Sequence, residues 1–182
     1  MELHVKIFDV VKRASRSLRI CACAVGLLAM AVTSTVSAEI APEQAALGGI
    51  TLGAPTSYVR SIYGTGSVSR EHGVLTYRYN GASVSFWSEN GPGKVMNIDT
   101  WKNNGFATPA GVTVGMSSSI LYDLYGQPDW DLNRRFITRK PVYADTQKNY
   151  VYFVSGSDRY KYLVFYTDSN DVINEIVLHW AD

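Results

Sequence analysis

The chain contains the same sixteen-residue pattern twice, and this duplication constrains its fold more than any other feature. Residues 49–64 recur as residues 111–126 at a constant offset of 62 residues, with six identical positions, three of them glycines. Glycines and apolar residues that repeat in register at a fixed spacing indicate a duplicated supersecondary unit. The sequence therefore predicts two tandem repeats, residues 49–110 and 111–182, after a short segment at residues 39–48.

Each copy of the pattern predicts a short helix that ends at a glycine. Val59 and Ile62 recur at helical spacing before Gly64, and the second copy repeats this arrangement up to Gly126. Helices of two to three turns are too short to be stable alone. We therefore expect each helix to pack on a sheet.

The segments after each helix alternate apolar and polar residues, which is typical of strands with two different faces. The predicted strands are Leu75–Tyr79, Ala82–Trp87 and Lys94–Trp101 in the first repeat, and Tyr150–Val154, Tyr160–Thr167 and Val172–Trp180 in the second. The predicted fold class is α+β, with each repeat a short helical segment packed on a three- to four-stranded antiparallel sheet. An inserted segment, residues 130–149, is either a fourth strand with a long loop or a binding excursion.

Residues 1–38 have the composition of an export signal. Five Lys and Arg residues precede an apolar run at residues 20–32, and Val36-Ser37-Ala38 provides the small residues that signal peptidase reads. The run is shorter than the roughly 18–20 residues that span a bilayer. We expect cleavage before Glu39, no transmembrane segment afterwards, and a periplasmic or extracellular location. A retained N-terminal anchor is the alternative.

The predicted mature chain has no charge bias and no cysteine. The leader holds five of the 17 basic and two of the 16 acidic residues, so the mature net charge is −2 and gives no sign of nucleic-acid binding. Both cysteines, Cys21 and Cys23, lie in the leader. The sequence therefore predicts neither disulfides nor metal thiolates.

Few residues in the mature chain could support catalysis. Its histidines are His72, in a Glu-His-Gly turn, and His179, on the last strand with Glu175 four residues before it. A Ser-His-Glu site is the enzymatic alternative. The turn Asp168–Asp171 lacks the spacing of a calcium loop. The sequence predicts no enzyme, no metal and no cofactor.

The second copy of the pattern carries a family resemblance. Gly111-Val-Thr-Val-Gly-Met-Ser117, followed by a helix that closes on Tyr125-Gly126-Gln127-Pro128, resembles the repeat opening of the secreted β-lactamase inhibitory protein family. It is also similar to the single-copy SmpA/OmlA (BamE-like) lipoproteins. The resemblance implies that paired sheets form a concave, aromatic-lined surface that grips a target protein. The inhibitor's disulfides and the lipoproteins' lipid-bearing cysteine are both missing from the predicted mature chain.

The resulting hypothesis is an exported, non-enzymatic protein-binding module whose partner is a secreted enzyme or an envelope component. The resemblance implies that the last hairpin touches the partner, and the aromatic excess on the strands extends this surface to both repeats. The predicted contact residues are the aromatic anchors Tyr79, Trp101, Tyr162, Phe165 and Trp180 and the rim charges Arg134 and Arg135.

Three alternatives remain for the aromatic residues. They form a core, they form a homodimer interface or other structural contact in the envelope, or they serve as stacking platforms of a carbohydrate-binding module.

Overall fold

The computed structural model describes residues 39–87, 93–129, 148–156 and 161–180. The chain divides into two units, Met1–Thr35 and Val36–Asp182, and every described residue belongs to the second. The predicted export signal, most of the inserted segment, and Arg134 and Arg135 lie outside the described residues. Within the described part, no helix is both long enough and apolar enough to cross a membrane.

Ten strands account for most of the regular structure. They are β1 (Glu39–Ile40), β2 (Ala46–Leu47), β3 (Ile50–Thr51), β4 (Ser67–Glu71), β5 (Val74–Tyr79), β6 (Ala82–Trp87), β7 (Lys94–Thr100), β8 (Lys148–Val154), β9 (Lys161–Thr167) and β10 (Ile173–Trp180). Eight of them form one sheet in the order β1-β8-β9-β10-β7-β6-β5-β4, while β2 and β3 form a separate hairpin. The sheet is mixed because β1 runs parallel to β8 and the other neighbours are antiparallel.

The predicted fold class, two repeats that each place a helix on a small antiparallel sheet, is wrong, because the strands form one large sheet. The last strand of each meander pairs with the other: β7 and β10 run antiparallel from the pair Thr100–Ile176 to the pair Asn97–His179. A strand at the edge of a small sheet leaves a row of backbone donors and acceptors unpaired. Joining β7 to β10 satisfies both rows and merges the two meanders.

The two predicted helices are present and end where the sequence predicts. They are α1 (Thr56–Tyr63) and α2 (Ile120–Tyr125), and a 3-10 turn covers Pro42–Gln44. Gly64 and Gly126 follow the helices with φ of 71° and 76°. Their N–H groups donate to the carbonyls of Arg60 and Tyr122. The prediction that each helix ends at a glycine is confirmed, and both glycines have positive φ.

The duplicated pattern makes equivalent hydrogen bonds in both halves of the molecule. The N–H of Gly53 donates to the carbonyl of Val95 on β7 at 2.8 Å. The N–H of Gly115, 62 residues later, donates to the carbonyl of Ile173 on β10, also at 2.8 Å. The loop before each helix is therefore anchored to the last strand of its own meander in the same way.

Helices α1 and α2 and the hairpin β2–β3 pack on one side of the large sheet, which we call the covered face. The main core lies here, with the largest fully buried side chains Tyr152, Phe86, Phe165, Leu47, Ile50, Ile98, Leu121, Leu163, Ile173, Ile176 and Leu178. The opposite side, which we call the second face, has a smaller buried cluster of Val151, Tyr162, Val164, Tyr166 and Val177. Every member of that cluster lies on β8, β9 or β10.

Candidate functional site

The second face changes from polar to apolar across the sheet. Strand alternation sends Leu75 and Tyr77 of β5 to the covered face, so Thr76 and Arg78 lie on the second face. The strand registers then align two rows that cross seven strands. The first row is Ser69, Thr76, Ser85, Asn97, His179, Tyr162 and Phe153, and the second is Ser67, Arg78, Ser83, Asp99, Val177, Val164 and Val151.

The polar part of the second face is accessible to solvent. Trp87 is 52% exposed, and Ser67, Glu71 and Arg78 are also exposed. By contrast, Val164 at the middle of the apolar part is fully buried. We call the accessible part the open patch; it consists of Ser67, Ser69, Glu71, Val74, Thr76, Arg78, Ser85 and Trp87.

Trp87 is the largest exposed apolar side chain in the described residues. It stands at the end of β6, two residues after Ser85, while Val84 and Phe86 point into the main core. Across the sheet it faces Val74 on β5 and Lys94 on β7. Ser83, Ser85 and Trp87 alternate with apolar residues along β6, and this pattern could have indicated the position of Trp87 from the sequence. Trp87 is nevertheless absent from the predicted contact residues.

Hydrogen bonds hold the polar side chains of this face in place. The hydroxyls of Thr76 and Ser85 lie 3.0 Å apart across β5 and β6. The carboxylate of Asp99 accepts hydrogen bonds from Asn97 Nδ2 at 2.6 Å and from Ser83 Oγ at 3.2 Å. A nearly buried carboxylate held by two donors is a fixed part of the surface. The hydroxyl groups of Thr76 and Ser85, on the same face, can donate and accept hydrogen bonds with a ligand.

Three of the predicted aromatic anchors lie on the covered face. Phe165 is fully buried in the main core. Trp180 is half-buried, and its ring lies 3.6 Å from the position that a Cβ on Gly53 would take. Tyr79 donates its hydroxyl to the carbonyl of Gly64 at 2.9 Å. These three side chains pack against the helices and loops.

The other two described anchors lie on the second face. The Tyr162 ring is 7% exposed, and its centroid lies 5.8 Å from the His179 ring and 5.9 Å from the Phe153 ring. Trp101 follows β7 directly, is half-buried, and donates its backbone N–H to the carbonyl of Gly81. The structure therefore does not bring the five predicted anchors together on one surface.

The residues of the enzymatic alternative are also apart. Glu175 is 1% exposed and stands opposite Tyr166, while His179 stands opposite Tyr162. Val177 separates them on the same face of β10, so their Cα atoms are about 13 Å apart along the strand. Two side chains at that distance share no hydrogen bond, and the Ser-His-Glu arrangement is not assembled.

The turn at Asp168 uses its carboxylate for the backbone. Asp168 Oδ1 accepts hydrogen bonds from the N–H groups of Asn170 at 2.8 Å and Val172 at 3.0 Å. A carboxylate that closes its own turn is an ordinary structural feature of this residue type. Across the described ranges, no three His, Cys, Asp or Glu side chains group as metal ligands would.

Comparison with known proteins does not place the chain in a family. No family model matches it, and no curated protein does. The crystal structure of YjgB, a DUF4309 family protein from Bacillus subtilis, matches with a TM-score of 0.41 and 17% sequence identity. The match covers 73% of this chain and 83% of that chain.

Proposed function

We propose that this chain is an exported, non-enzymatic module that binds a protein partner through the open patch. The observation that carries the proposal is the accessible half of the second face, where Trp87 stands half-exposed on a surface of hydroxyls. The leader-like residues 1–38 support export, with the partner a secreted enzyme or an envelope component.

The composition of the open patch supports a protein partner. Trp and Arg are enriched among the residues that dominate the binding energy of protein interfaces, and the rim around them is polar. Trp87 and Arg78 provide both types on one face. Ser69, Thr76 and Ser85 provide the hydrogen-bonding surround in a fixed register. A sheet surface of this composition suits a folded partner or an extended segment of one.

The edge of the sheet offers a second means of attachment. β4 is the last strand of the described sheet, and its outer backbone groups pair with no described strand. A partner segment that adds to this edge gains main-chain hydrogen bonds, while side-chain contacts provide specificity. Arg70 and Glu71 would limit the choice of partner because their charges disfavour unselective pairing at the edge.

A pair of matched variants tests the proposal. The partner is recovered by cross-linking the exported protein in the fraction where it is found, and its affinity for Trp87→Ala and Leu124→Ala is then measured. Leu124 is 42% exposed on α2, away from both the open patch and the edge strand β4. We expect Trp87→Ala to weaken binding by roughly thirtyfold, as for a central tryptophan. Leu124→Ala should bind as the unmodified protein does.

Two outcomes would overturn the proposal. Equal affinity of both variants would place the interface away from the open patch. Recovery of a second copy of this chain as the only partner would support the homodimer or structural alternative instead. Far-UV circular dichroism of each variant separates lost binding from lost folding.

A further inference from the structure

Besides the open patch, the first half of the molecule contains an open cleft of about 350 Å³ beside the turn between β5 and β6. Its floor consists of the rings of Tyr63, Tyr79 and Phe106, and its rim of polar side chains that include Asn80, Lys102 and Asn103. We call it the aromatic cleft. Tyr79 belongs to the covered face whereas Trp87 belongs to the second face, so the cleft is distinct from the open patch.

The rings on the floor are held rigidly. Tyr63 stacks on Phe106 with centroids 4.7 Å apart, and Tyr79 lies 5.7 Å from Tyr63. The hydroxyl of Tyr63 donates to the carbonyl of Gly48 at 2.7 Å, and that of Tyr79 donates to the carbonyl of Gly64. Phe106 is 3% exposed beneath Tyr63, so the apolar surface that a ligand can reach is that of the half-exposed Tyr63 and Tyr79 rings.

The rim combines fixed and available polar groups. Asn104 is fixed: its Nδ2 donates to the carbonyl of Asn80, and its Oδ1 accepts from Thr100 Oγ1 and the N–H of Phe106. Lys102 Nζ donates to Asn80 Oδ1 at 3.3 Å, which orients the Asn80 amide. Among the described residues, nothing accepts a hydrogen bond from Asn80 Nδ2 and nothing pairs with the side chain of Asn103. These exposed amides are available to a ligand.

We infer that the aromatic cleft binds a short saccharide. A pyranose ring has an apolar C–H face that packs on aromatic surfaces, and its edge carries hydroxyls that pair with amides. The cleft offers both, with tyrosine rings beneath and two amides and an ammonium group at the rim. Its volume is at the lower end of the 300–1,000 Å³ of ligand sites, which suits one or two sugar rings. Lys102 adds a cation that can pair with an acidic substituent.

The test uses the full chain and two sugar probes, diacetylchitobiose as the neutral one and digalacturonate as the acidic one. Binding is followed by calorimetry and by amide chemical shifts in NMR spectra. We expect saturable binding of at least one probe, with shift changes at Asn80, Lys102 and Asn103. Asn103→Ala should weaken this binding by about tenfold, the loss of one good hydrogen bond. Asn170→Ala is the control, since Asn170 is an exposed asparagine in a turn of the second half.

A second pair of variants protects the test against misfolding. Tyr79→Phe keeps the ring and should keep the affinity, whereas Tyr79→Ala should abolish binding. Trp87→Ala should leave sugar affinity unchanged, which makes this inference independent of the protein-binding proposal. No saturation of either probe up to about 10 mM, or equal binding by Asn103→Ala and the unmodified chain, would overturn the inference.

Discussion

The two halves of the molecule place a similar trio of aromatic rings beneath a helix, but the trios differ in their exposure. The first trio is Tyr63, Tyr79 and Phe106, and the second is Tyr125, Tyr152 and Phe165. In each half a strand tyrosine donates its hydroxyl to the carbonyl of the glycine that ends the helix, Gly64 at 2.9 Å and Gly126 at 3.3 Å. In both halves this hydrogen bond therefore fixes the end of the helix on the sheet.

Both phenylalanines are buried, Phe106 at 3% and Phe165 at 0% exposure, and the difference between the trios lies in the exposure of their tyrosines. Phe165 comes from β9 and lies inside the sheet's own core, so the second trio is sealed, with Tyr152 fully buried. Phe106 comes from the chain after β7, and Tyr63 and Tyr79 beside it remain half-exposed. A closed trio is enough to hold a helix end. The opening of the first trio therefore needs another explanation, and ligand binding is the one we propose.

The second face shows the same division between the halves. Its β8–β10 part is a buried cluster centred on Val164, whereas its β4–β6 part exposes Arg78 and Trp87. The first half is thus more accessible on both sides of the sheet. Both proposed binding surfaces lie in this more accessible half.

The largest effect is expected from removing the phenylalanine ring of each trio. Phe165→Ala leaves a sealed cavity in the main core, and we expect a loss of about 3–5 kcal/mol in the free energy of unfolding. Phe106→Ala opens into the aromatic cleft, where water can enter, so its loss should be smaller by about 1 kcal/mol or more. Urea denaturation of both variants measures the difference. Equal losses would show that the two trios are equally closed.

A smaller and symmetrical effect is expected at the helix ends. Gly64 and Gly126 have nearly the same positive φ, and a Cβ on Gly64 would meet no atom within 4 Å. Their ψ angles of −162° and −156° place both in a region that glycine almost alone populates. Backbone strain is then the main cost at Gly64, and Gly64→Val should lower the free energy of unfolding by roughly 1–3 kcal/mol. Gly126→Val should cost a similar amount. Clearly different Tm values for the two variants would show that the two helix ends are not equivalent.

The local parts of the fold were predictable from the sequence because they depend on neighbouring residues. Helix ends at Gly64 and Gly126 and the hairpin at Asn80-Gly81 follow from backbone preferences that act over a few positions. The pairing of Thr100 with Ile176 depends on residues far apart in the chain. Strand periodicity carries no information on which edge meets which, and this is why the single large sheet was missed.

The candidate sites were predictable only in part, for a related reason. β9 is apolar on both faces, so its pattern did not say that Phe165 faces the helices and Tyr162 the other side. β6 has a clear alternation, and Ser83 and Ser85 place Trp87 on the polar face by spacing alone. The cleft was beyond sequence reasoning, because Phe106 and Tyr79 are brought together by the tertiary fold.

The smallest expected effect is a pH dependence of stability that comes from Tyr79 in the first trio. Burial, with smaller contributions from Tyr77 and Tyr63, raises the pKa of Tyr79 from 10.0 to about 12. The folded state therefore favours the neutral phenol. The stability that this provides is complete below pH 10 and is lost as the pH rises towards 12. The free energy of unfolding should fall over that interval.

Removing the phenol isolates this contribution. Tyr79→Phe loses the hydrogen bond to Gly64, which should cost about 0.5–1.5 kcal/mol at pH 7. It also removes the titrating group, so its stability should decline less between pH 10 and about 12 than that of the unmodified chain. Ser155→Ala is the control, because it also removes a hydroxyl that donates to a backbone carbonyl, that of Ile40 at 3.2 Å, but removes no titrating group. Its stability should decline with pH as that of the unmodified chain does. Urea titrations at several alkaline pH values, with tyrosinate absorbance recorded in parallel, measure both slopes. If Tyr79→Phe and Ser155→Ala decline alike, the folded first trio does not favour the neutral phenol of Tyr79, and its hydroxyl is not held at the helix end as that of Tyr152 is in the second half.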